Sequence, residues 1–291
     1  MNGILIVDKP EGWTSHDVVA KLRGIYREKR IGHSGTLDPM ATGVLVVFLG
    51  RATRAVELCE NDEKTYMAGL RLGLVTNTQD ITGQTLETMT PEVTEARLSA
   101  VLEQFTGPQS QVPPMYSAVK VQGQKLYELA RKGRTVERKP RNIVIHELRL
   151  VGRQQEDYLL KVCCSKGTYV RTLCHDIGQM LGCGGCMSSL RRVQAGRFSL
   201  KDAISLEEIQ AARARGEHAA LLRPVDSLFA DCPDLSLEGE RERLVRNGGL
   251  TPVPGLADGM YRVYGADGTF LMLGRSQGGT LKTVKSFFEV K

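Results

Sequence analysis

The chain has 291 residues, 41% of them apolar and 25% charged, with a formal net charge of +6. These values are ordinary for a soluble globular protein and allow one large core with a smaller appended domain. Its apolar runs fall short of the roughly eighteen residues that a membrane-spanning helix needs, and charge follows the first residues too soon for a signal peptide, so we expect a cytoplasmic protein.

The amino-terminal part predicts a strand, a helix and two further strands. Residues 4–7 form the first predicted strand. Ser15 is the predicted N-cap of the helix, because an apolar stripe with helical spacing follows it. That stripe consists of Val18, Val19, Leu22, Ile25 and Tyr26. β-rich runs predict the two further strands over residues 44–49 and 65–72.

A second helix is predicted to begin at Thr90 and Pro91, because proline suits the first helical position. Its inward face would consist of Leu98, Val101, Leu102 and Phe105. Residues 109–114 are polar and contain proline, so we expect a break in regular structure there.

The second half of the chain continues the mixture of strands and helices. Strands are predicted over residues 143–150 and 158–165, followed by a helix with Thr168 as its N-cap. The apolar face of that helix would be Val170, Leu173, Cys174, Ile177 and Leu181. A further helix over about 205–214, a domain boundary at 223–226 and a hairpin over 260–274 complete the prediction. Strands and helices do not alternate strictly, which favours an α+β fold.

Seven cysteines are scattered along the chain without a pairing framework, and we expect reduced thiols rather than disulfides. Cys183 and Cys186 have the spacing of half a zinc site, but the sequence lacks a second half. Packing thiols are therefore the favoured interpretation, and no metal is expected.

The net charge is concentrated in one short window. Between Lys120 and Arg141 lie eight basic and two acidic residues, a balance that equals the net charge of the whole chain. The basic residues are Lys120, Lys125, Arg131, Lys132, Arg134, Arg138, Lys139 and Arg141. A solvated charged helix is one interpretation, and a surface that contacts phosphates is the other, because the run is almost of one sign.

The common signatures of phosphate loops, dinucleotide sites, zinc peptidases and serine hydrolases are absent from the sequence. Taken alone, Asp38 followed by Pro39 is typical of a helix start, with aspartate as the N-cap and proline at the first helical position. Composition and spacing by themselves therefore favour a structural role for Asp38.

Segments along nearly the whole chain resemble the TruB family of tRNA pseudouridine-55 synthases. They are VDKPEGWTS (7–15), GHSGTLDPMATGVL (32–45), KTY (64–66), RLG (71–73), PPMYSAVK (113–120), SKGTYVRTL (165–173) and LRR (190–192). The resemblance implies a pseudouridine-synthase fold, with a mixed central sheet flanked by helices. It implies a catalytic domain over 1–225, a thumb-like basic insertion over about 109–142, hereafter the thumb, and a PUA-like RNA-binding domain over 226–291.

The resemblance also implies an activity and its catalytic residues. The family isomerises the uridine at position 55 in the T-arm of tRNA, which requires flipping the base out of its stack. By resemblance Asp38 is the nucleophile, Arg171 its partner and Tyr66 the residue that stacks on the base and moves a proton. No cofactor is implied. Pairing with Arg171 is expected to lower the pKa of Asp38.

The position of Arg171 gives an independent indication. It lies in the first turn of its predicted helix, where the macrodipole disfavours a cation by roughly 0.3–1 kcal/mol. An anion nearby is therefore expected, either Asp38 or a phosphate.

Further residues are assigned by resemblance alone. His33 would fill the gap left by the flipped nucleotide, Tyr169 and Leu190 would line the base pocket, and Lys9 would support the site. The thumb would grip tRNA through Lys120, Lys125, Arg131, Lys132, Arg134 and Arg141, and its helix, over about 124–132, would end at Gly133.

Three hypotheses remain open at this point. The favoured one is a monomeric enzyme that acts on free tRNA without a guide RNA. A second is an RNA-folding protein in which catalysis is incidental. A third is the related guide-RNA-dependent synthase, which lacks the thumb.

Overall fold

The computed structural model describes residues 1–59, 62–121 and 123–288, and its strands form two larger sheets and two short ribbons. The strands are β1 (Gly3–Lys9), β2 (Ile31–Ser34), β3 (Thr42–Leu49), β4 (Lys64–Leu72), β5 (Leu74–Thr76), β6 (Thr85–Thr88), β7 (Gly107–Gln111), β8 (Lys120–Val121), β9 (Gln124–Lys125), β10 (Arg141–Gln154), β11 (Asp157–Cys164), β12 (Gly185–Ala195), β13 (Phe198–Ser199), β14 (Asp234–Ser236), β15 (Thr251–Pro252), β16 (Gly259–Tyr264), β17 (Phe270–Gln277) and β18 (Thr280–Ser286).

Six α-helices occur in the same described residues: α1 (Ser15–Tyr26), α2 (Glu95–Gln104), α3 (Leu126–Arg131), α4 (Val170–Leu181), α5 (Leu206–Arg215) and α6 (Gly239–Arg246). Short 3-10 helices lie at Gly50–Leu58, Leu200–Asp202, His218–Leu221 and Val225–Phe229. The predicted α+β fold is confirmed.

The large sheet has the order β1-β3-β12-β4-β11-β10-β7, with β2 paired to β3 and β13 paired to β12. Its only parallel pairing among the described strands joins β3 to β12, where Arg191 and Arg192 face Thr42 and Gly43. Strand β12 therefore lies in the middle of the sheet, between β3 and β4.

Close packing at the junction of β3 and β12 explains a glycine. Gly43 has a φ of +99°, and a Cβ atom there would lie 2.2 Å from the carbonyl oxygen of Arg192. A side chain at this position would therefore meet both backbone strain and a direct clash.

Helix α1 begins one residue earlier than predicted. Thr14 is the N-cap: its hydroxyl accepts a bond from the Asp17 amide at 3.0 Å, and the Asp17 carboxylate accepts one from the Thr14 amide at 2.9 Å. Ser15 is buried instead, and its hydroxyl bonds the backbone of Leu37. The predicted apolar stripe is buried as expected.

Helix α2 begins at Glu95 with Thr94 as its N-cap, so the predicted start at Thr90 and Pro91 is wrong by about one turn. Its inward face holds Leu98, Val101 and Leu102, as predicted. Residues 107–111 form the edge strand β7, which pairs with β10 where the polar composition had indicated a break. Tertiary pairing with β10 outweighs the weak local preference for a strand.

Helix α4 begins at Val170, with Tyr169 rather than Thr168 as its N-cap. The Thr168 hydroxyl donates to the carbonyl of Ser165 at 2.9 Å, so it is engaged in the preceding turn and cannot cap the helix. The predicted apolar face of α4 is buried.

In the thumb, α3 is shorter than the predicted helix because residues 124–125 pair with 120–121 as a ribbon. Gly133 follows the helix with a φ of +68°, and its amide donates to the carbonyl of Ala130 at 2.9 Å. The glycine therefore ends the helix as predicted. Residue 122 lies outside the described part of the thumb.

The second sheet has the order β14-β16-β17-β18-β15. Strands β16 and β17 form the predicted hairpin. Leu273 of this sheet and Phe287, which directly follows β18, share an apolar cluster with Phe48 and Phe198 of the large sheet. The two sheets are thus joined by apolar packing.

Candidate active site

Asp38 lies in the loop between β2 and β3, outside any helix. The Ala41 amide donates to the carbonyl of Asp38 at 3.0 Å, and the Gly12 amide donates to that of Pro39 at 2.8 Å. The helix-cap interpretation of Asp38 is therefore wrong. Its carboxylate is free to contact other side chains rather than helix amides.

Lys9 donates hydrogen bonds to the backbone of this loop and of a neighbouring segment. Its side chain is fully buried, and its ammonium donates to the carbonyls of Pro10 at 2.8 Å, Trp13 at 2.6 Å and Pro39 at 3.3 Å. Burial lowers the pKa of Lys9 to about 8. Its contacts with three backbone oxygens connect the segment 10–13 to Pro39, and the supporting role expected for Lys9 stays a prediction.

Arg171 joins the Asp38 loop to two other segments. Its Nε lies 3.1 Å from Oδ2 of Asp38, and its Nη1 lies 3.4 Å from Oδ2 of Asp80. Nη1 also donates to the carbonyl of Thr78 at 3.3 Å, and Nη2 to that of Tyr116 at 2.9 Å. The anion expected from the position of Arg171 in the first turn of α4 is present, and there are two.

Asp80 was missed in the sequence. Its side chain is only 6% exposed, and Oδ1 accepts bonds from the Thr78 hydroxyl at 2.8 Å and the Thr82 amide at 3.0 Å. The segment Thr78-Gln79-Asp80-Ile81-Thr82-Gly83 has the composition of a turn in which aspartate bonds the following backbone. That signal indicates a turn but does not reveal that the turn meets Arg171.

The expected lowering of the Asp38 pKa does not occur. Partial burial desolvates the Asp38 carboxyl and raises its pKa above its ordinary value, and the Arg171 charge opposes this without overcoming it. The nearby Asp80 carboxylate raises it further, whereas Lys9 lowers it. Desolvation therefore outweighs pairing at this site.

Tyr66 lies on β4 opposite Arg192 of β12 and packs against the large apolar cluster that contains Leu190. Burial raises the pKa of Tyr66, and the Arg192 charge acts in the opposite direction. Arg192 is itself 1% exposed and donates to the carbonyls of Val44 at 2.7 Å and Gly35 at 3.0 Å. It connects the Asp38 loop to β12, a role that the sequence did not indicate.

Tyr169 is the N-cap of α4, and His33 lies on β2. The Tyr169 amide donates to Oε1 of Gln111 at 2.8 Å, and the Gln111 amide donates back to the Tyr169 carbonyl at 3.1 Å. The His33 ring meets His16 edge-on, with centroids 5.8 Å apart. Burial lowers the pKa of His33 to about 4, so the ring is neutral near pH 7.

The thumb presents its predicted cations to solvent. Lys120, Arg131, Lys132, Arg134 and Arg141 are exposed, and Lys125 is half-buried. None of the eight basic side chains between Lys120 and Arg141 forms an ion pair with a carboxylate of the described residues. Tyr116, through its carbonyl, connects the thumb to Arg171.

Comparison with known proteins identifies the family. Residues 23–170 match the TruB family pseudouridylate synthase (N terminal domain), and residues 171–230 match the tRNA pseudouridylate synthase B C-terminal domain. The chain belongs to the TruB family. Asp38 and Tyr66 lie in the first matched range, and Arg171 and Leu190 lie in the second. It is thus an enzyme of the pseudouridine-synthase class.

Full-length TruB relatives agree with this assignment. The tRNA pseudouridine synthase B of Clostridium kluyveri is 40% identical over 99% of this chain and 100% of its own length. That of Aromatoleum aromaticum is 42% identical over 97% of this chain and 91% of its own length.

Solved structures confirm the fold expected of a TruB protein. A chain in the crystal structure of a Cbf5-Nop10-Gar1 complex has a TM-score of 0.74 and 27% identity, covering 98% of this chain and 85% of that chain. A structure of an H/ACA RNP bound to a substrate RNA has a TM-score of 0.72 and 24% identity, covering 99% of this chain and 85% of that chain, and shows the fold alone.

The seven cysteines of this TruB protein take no part in the contacts of Arg171 described above. All seven are free, and Cys174, Cys183 and Cys186 are buried. Across residues 1–59, 62–121 and 123–288, no group of three or more His, Cys, Asp or Glu side chains could hold a metal ion. No described helix is both long and apolar enough to cross a membrane.

Proposed function

We propose that this protein isomerises the uridine at position 55 in the T-arm of tRNA to pseudouridine, with Asp38 as the nucleophile. The observation that carries the proposal is the Asp38–Arg171 pair. The Asp38 side chain is 39% exposed, whereas that of Arg171 is 8% exposed. A carboxylate that solvent and a nucleotide can reach is thus held by a buried cation. The name shared by the full-length relatives supports tRNA as the substrate.

The reaction is balanced without a further reactant. The bond between the ribose carbon and N1 of uracil breaks, the same ribose carbon bonds C5, and the proton on C5 leaves as N1 gains one. A carboxylate nucleophile divides this rearrangement into two easier steps, whether it attacks the sugar or the ring. Neither a redox partner nor a phosphate donor is required.

The surrounding residues have separate roles in this proposal. Arg171 holds the Asp38 carboxylate in position and favours its ionised form against the effect of burial. Tyr66, whose raised pKa keeps its hydroxyl protonated, stacks on the uracil and moves a proton. Tyr169 and Leu190 line the pocket for the flipped base. His33, whose ring is neutral near pH 7, fills the gap in the RNA stack.

The thumb provides the phosphate contacts. Its unpaired cations are available to neutralise backbone phosphates, which dominate protein affinity for RNA. We propose that they let a monomer bind tRNA without a guide RNA, and that a catalytic domain over 1–225 is aided by a PUA-like RNA-binding domain over 226–291. The five-stranded sheet from Asp234 to Ser286 falls within that second range.

Conversion of a T-arm stem-loop RNA tests the activity. Wild-type protein is expected to convert its target uridine, whereas Asp38→Asn, which keeps the size but loses the charge, is expected to be slower by about a thousandfold or more. Binding of the same RNA by Asp38→Asn serves as the folding control. Equal conversion by the two proteins would rule out Asp38 as the nucleophile and favour a protein that only binds or folds RNA.

A further inference from the structure

The turn that carries Asp80 has an unusual backbone at Gln79. This residue has a φ of +65°, in the left-handed region that residues other than glycine rarely adopt. Gln79 lies between Thr78 and Asp80, and both of these neighbours contact Arg171. The backbone at Gln79 therefore sets the relative direction of both contacts.

Three bonds hold Gln79 in this conformation, and one of them lies within the turn, where the Gln79 amide donates to the Thr76 carbonyl at 3.2 Å. The Thr172 hydroxyl on α4 donates to Oε1 of Gln79 at 2.7 Å, and the Met187 amide on β12 donates to the Gln79 carbonyl at 3.0 Å. Thr172 is 4% exposed, so its hydroxyl is shielded from water and its removal would leave the Gln79 oxygen without this donor.

The bond from Thr172 has a direct relation to the candidate active site. Thr172 directly follows Arg171 in the chain, so two adjacent residues of α4 form hydrogen bonds to the same turn. Arg171 contacts the turn through the Thr78 carbonyl and the Asp80 carboxylate, and Thr172 contacts it through the Gln79 amide. The Gln79–Thr172 bond is not needed to build α4 or β12, since neither element uses it in its own backbone bonding.

We propose that Gln79 and Thr172 are positioning residues, which hold the turn so that Asp80 and the Thr78 carbonyl fix the Arg171 guanidinium against Asp38. The inference rests on the proposed role of Asp38. Neither residue touches the carboxylate itself. Their effect passes through Arg171, whose Nε must stay within hydrogen-bond reach of Asp38 for the pair to act.

Steady-state conversion of a T-arm stem-loop RNA by two variants tests the proposal. Thr172→Val keeps the side-chain shape and loses the hydroxyl. Gln79→Gly loses the amide but tolerates the left-handed backbone. Each is expected to lower kcat by about tenfold and to leave KM within about twofold, because a misplaced catalytic group slows chemistry more than binding. The double variant is expected to be no slower than the slower single variant, since both remove one interaction.

The pH profile provides a readout that general loss of stability would not move. The charged groups that act on Asp38 are Arg171, Asp80 and Lys9. A displaced Arg171 would oppose the effect of burial less, so the Asp38 carboxyl would ionise at a higher pH. The acid limb of kcat/KM is therefore expected to shift to higher pH in Thr172→Val and Gln79→Gly.

Two control variants separate positioning from folding. Thr172→Ser keeps the hydroxyl and is expected to retain wild-type kcat. Thr53→Val removes a hydroxyl bond of the same 2.7 Å length, from Thr53 to the Gly50 carbonyl, and is expected to leave kcat and the acid limb unchanged. Wild-type kcat in both Thr172→Val and Gln79→Gly would overturn the inference, as would an equal decrease in Thr53→Val.

Asp38→Asn, assayed beside these variants, distinguishes the positioning role from the proposed function. An inactive Asp38→Asn with fully active Gln79→Gly and Thr172→Val would leave the proposed function intact and overturn the positioning role alone. An active Asp38→Asn would overturn the proposed function, and the positioning role with it.

Discussion

Nε of Arg171 lies 3.1 Å from Oδ2 of Asp38, and Nη1 of the same guanidinium lies 3.4 Å from Oδ2 of a second carboxylate, Asp80. Arg171 occupies the first turn of α4, where the helix dipole disfavours a cation. The two carboxylates offset that cost. The arrangement makes the orientation of the planar guanidinium, rather than its charge alone, the property that the site depends on.

Arg171→Lys is therefore expected to impair the enzyme although it keeps the charge. The planar guanidinium of arginine contacts Asp38, Asp80 and two carbonyls at once, whereas the compact ammonium of lysine cannot reach all four. The value of kcat/KM should therefore fall by about 10- to 100-fold. Burial raises the Asp38 pKa and the Arg171 charge opposes this effect. A lysine charge held farther from Asp38 would oppose it less, so the acid limb of kcat/KM should also move to higher pH. A profile of kcat/KM against pH measures both effects. Retention of wild-type values would show that a point charge is sufficient.

Neutralising the thumb is expected to flatten the salt dependence of tRNA binding. The slope of log affinity against log salt is negative. In a triple glutamine variant of Arg131, Lys132 and Arg134, the magnitude of this slope should decrease by about 0.7–0.9 for each phosphate that is no longer neutralised. Binding isotherms at several salt concentrations measure the slope. Arg215→Gln, which removes a surface cation already paired with Glu217, is the control and should leave it unchanged. An unaltered slope in the triple variant would contradict the thumb assignment.

His33 is expected to make the protein less stable in acid. Its pKa falls from 6.5 to about 4 on burial, so the unfolded chain binds a proton more readily than the folded one over that range. The contribution of His33 to the free energy of unfolding is therefore fully present above pH 6.5, the pKa of His33 in the unfolded chain. It is lost as the pH falls towards about 4, the pKa of His33 in the folded protein.

Urea unfolding at about pH 5 and about pH 7 measures this decrease. His33→Phe, which cannot titrate, should show a smaller difference between the two conditions than the wild type. His16→Phe serves as the control, because His16 is exposed and should leave most of the difference in place. An identical difference in wild type and His33→Phe would refute the prediction.

Gly43→Ala is expected to destabilise the fold by about 3 kcal/mol or more, from positive φ and from the clash with the Arg192 carbonyl. Gly24→Ala provides the matched control. Gly24 lies in α1 with no neighbouring atom within 4 Å of an added Cβ. Gly24→Ala should therefore raise the free energy of unfolding by about 0.5–1 kcal/mol. Denaturant midpoints of the two variants should therefore shift in opposite directions.

The sequence predicted those elements whose local pattern agrees with their packing. The stripe of α1 and the hairpin of β16 and β17 both follow from periodicity and turn residues. Strand β12 escaped prediction, because its residues, Gly185 to Ala195, include serines, arginines and few β-branched side chains. Its conformation comes from pairing on both sides with β3 and β4.

Site residues divide in the same way. The dipole argument predicted an anion beside Arg171 from the sequence, and family resemblance supplied Asp38. Asp80 and Arg192 were not predicted, because their importance depends on contacts between segments far apart in the chain. The direction of the Asp38 pKa was wrong for a related reason: pairing is visible from the sequence, whereas the extent of burial is not.

The central place of β12 has a consequence for how the protein acquires its activity. Strands β3 and β4 are made early in synthesis, yet the gap between them is filled by a strand that follows α4. Until β12 inserts, β4 exposes one edge over nearly its whole length, whereas β3 lacks partners on that side only at Thr42 and Gly43, because β2 pairs with its residues 46–49. Such an unpaired edge is liable to pair with other chains. A ribosome-bound chain that already contains Asp38 would thus still lack Arg171 and Arg192, so the Asp38–Arg171 contact and the Arg192–Gly35 bond can form only after those late segments are made.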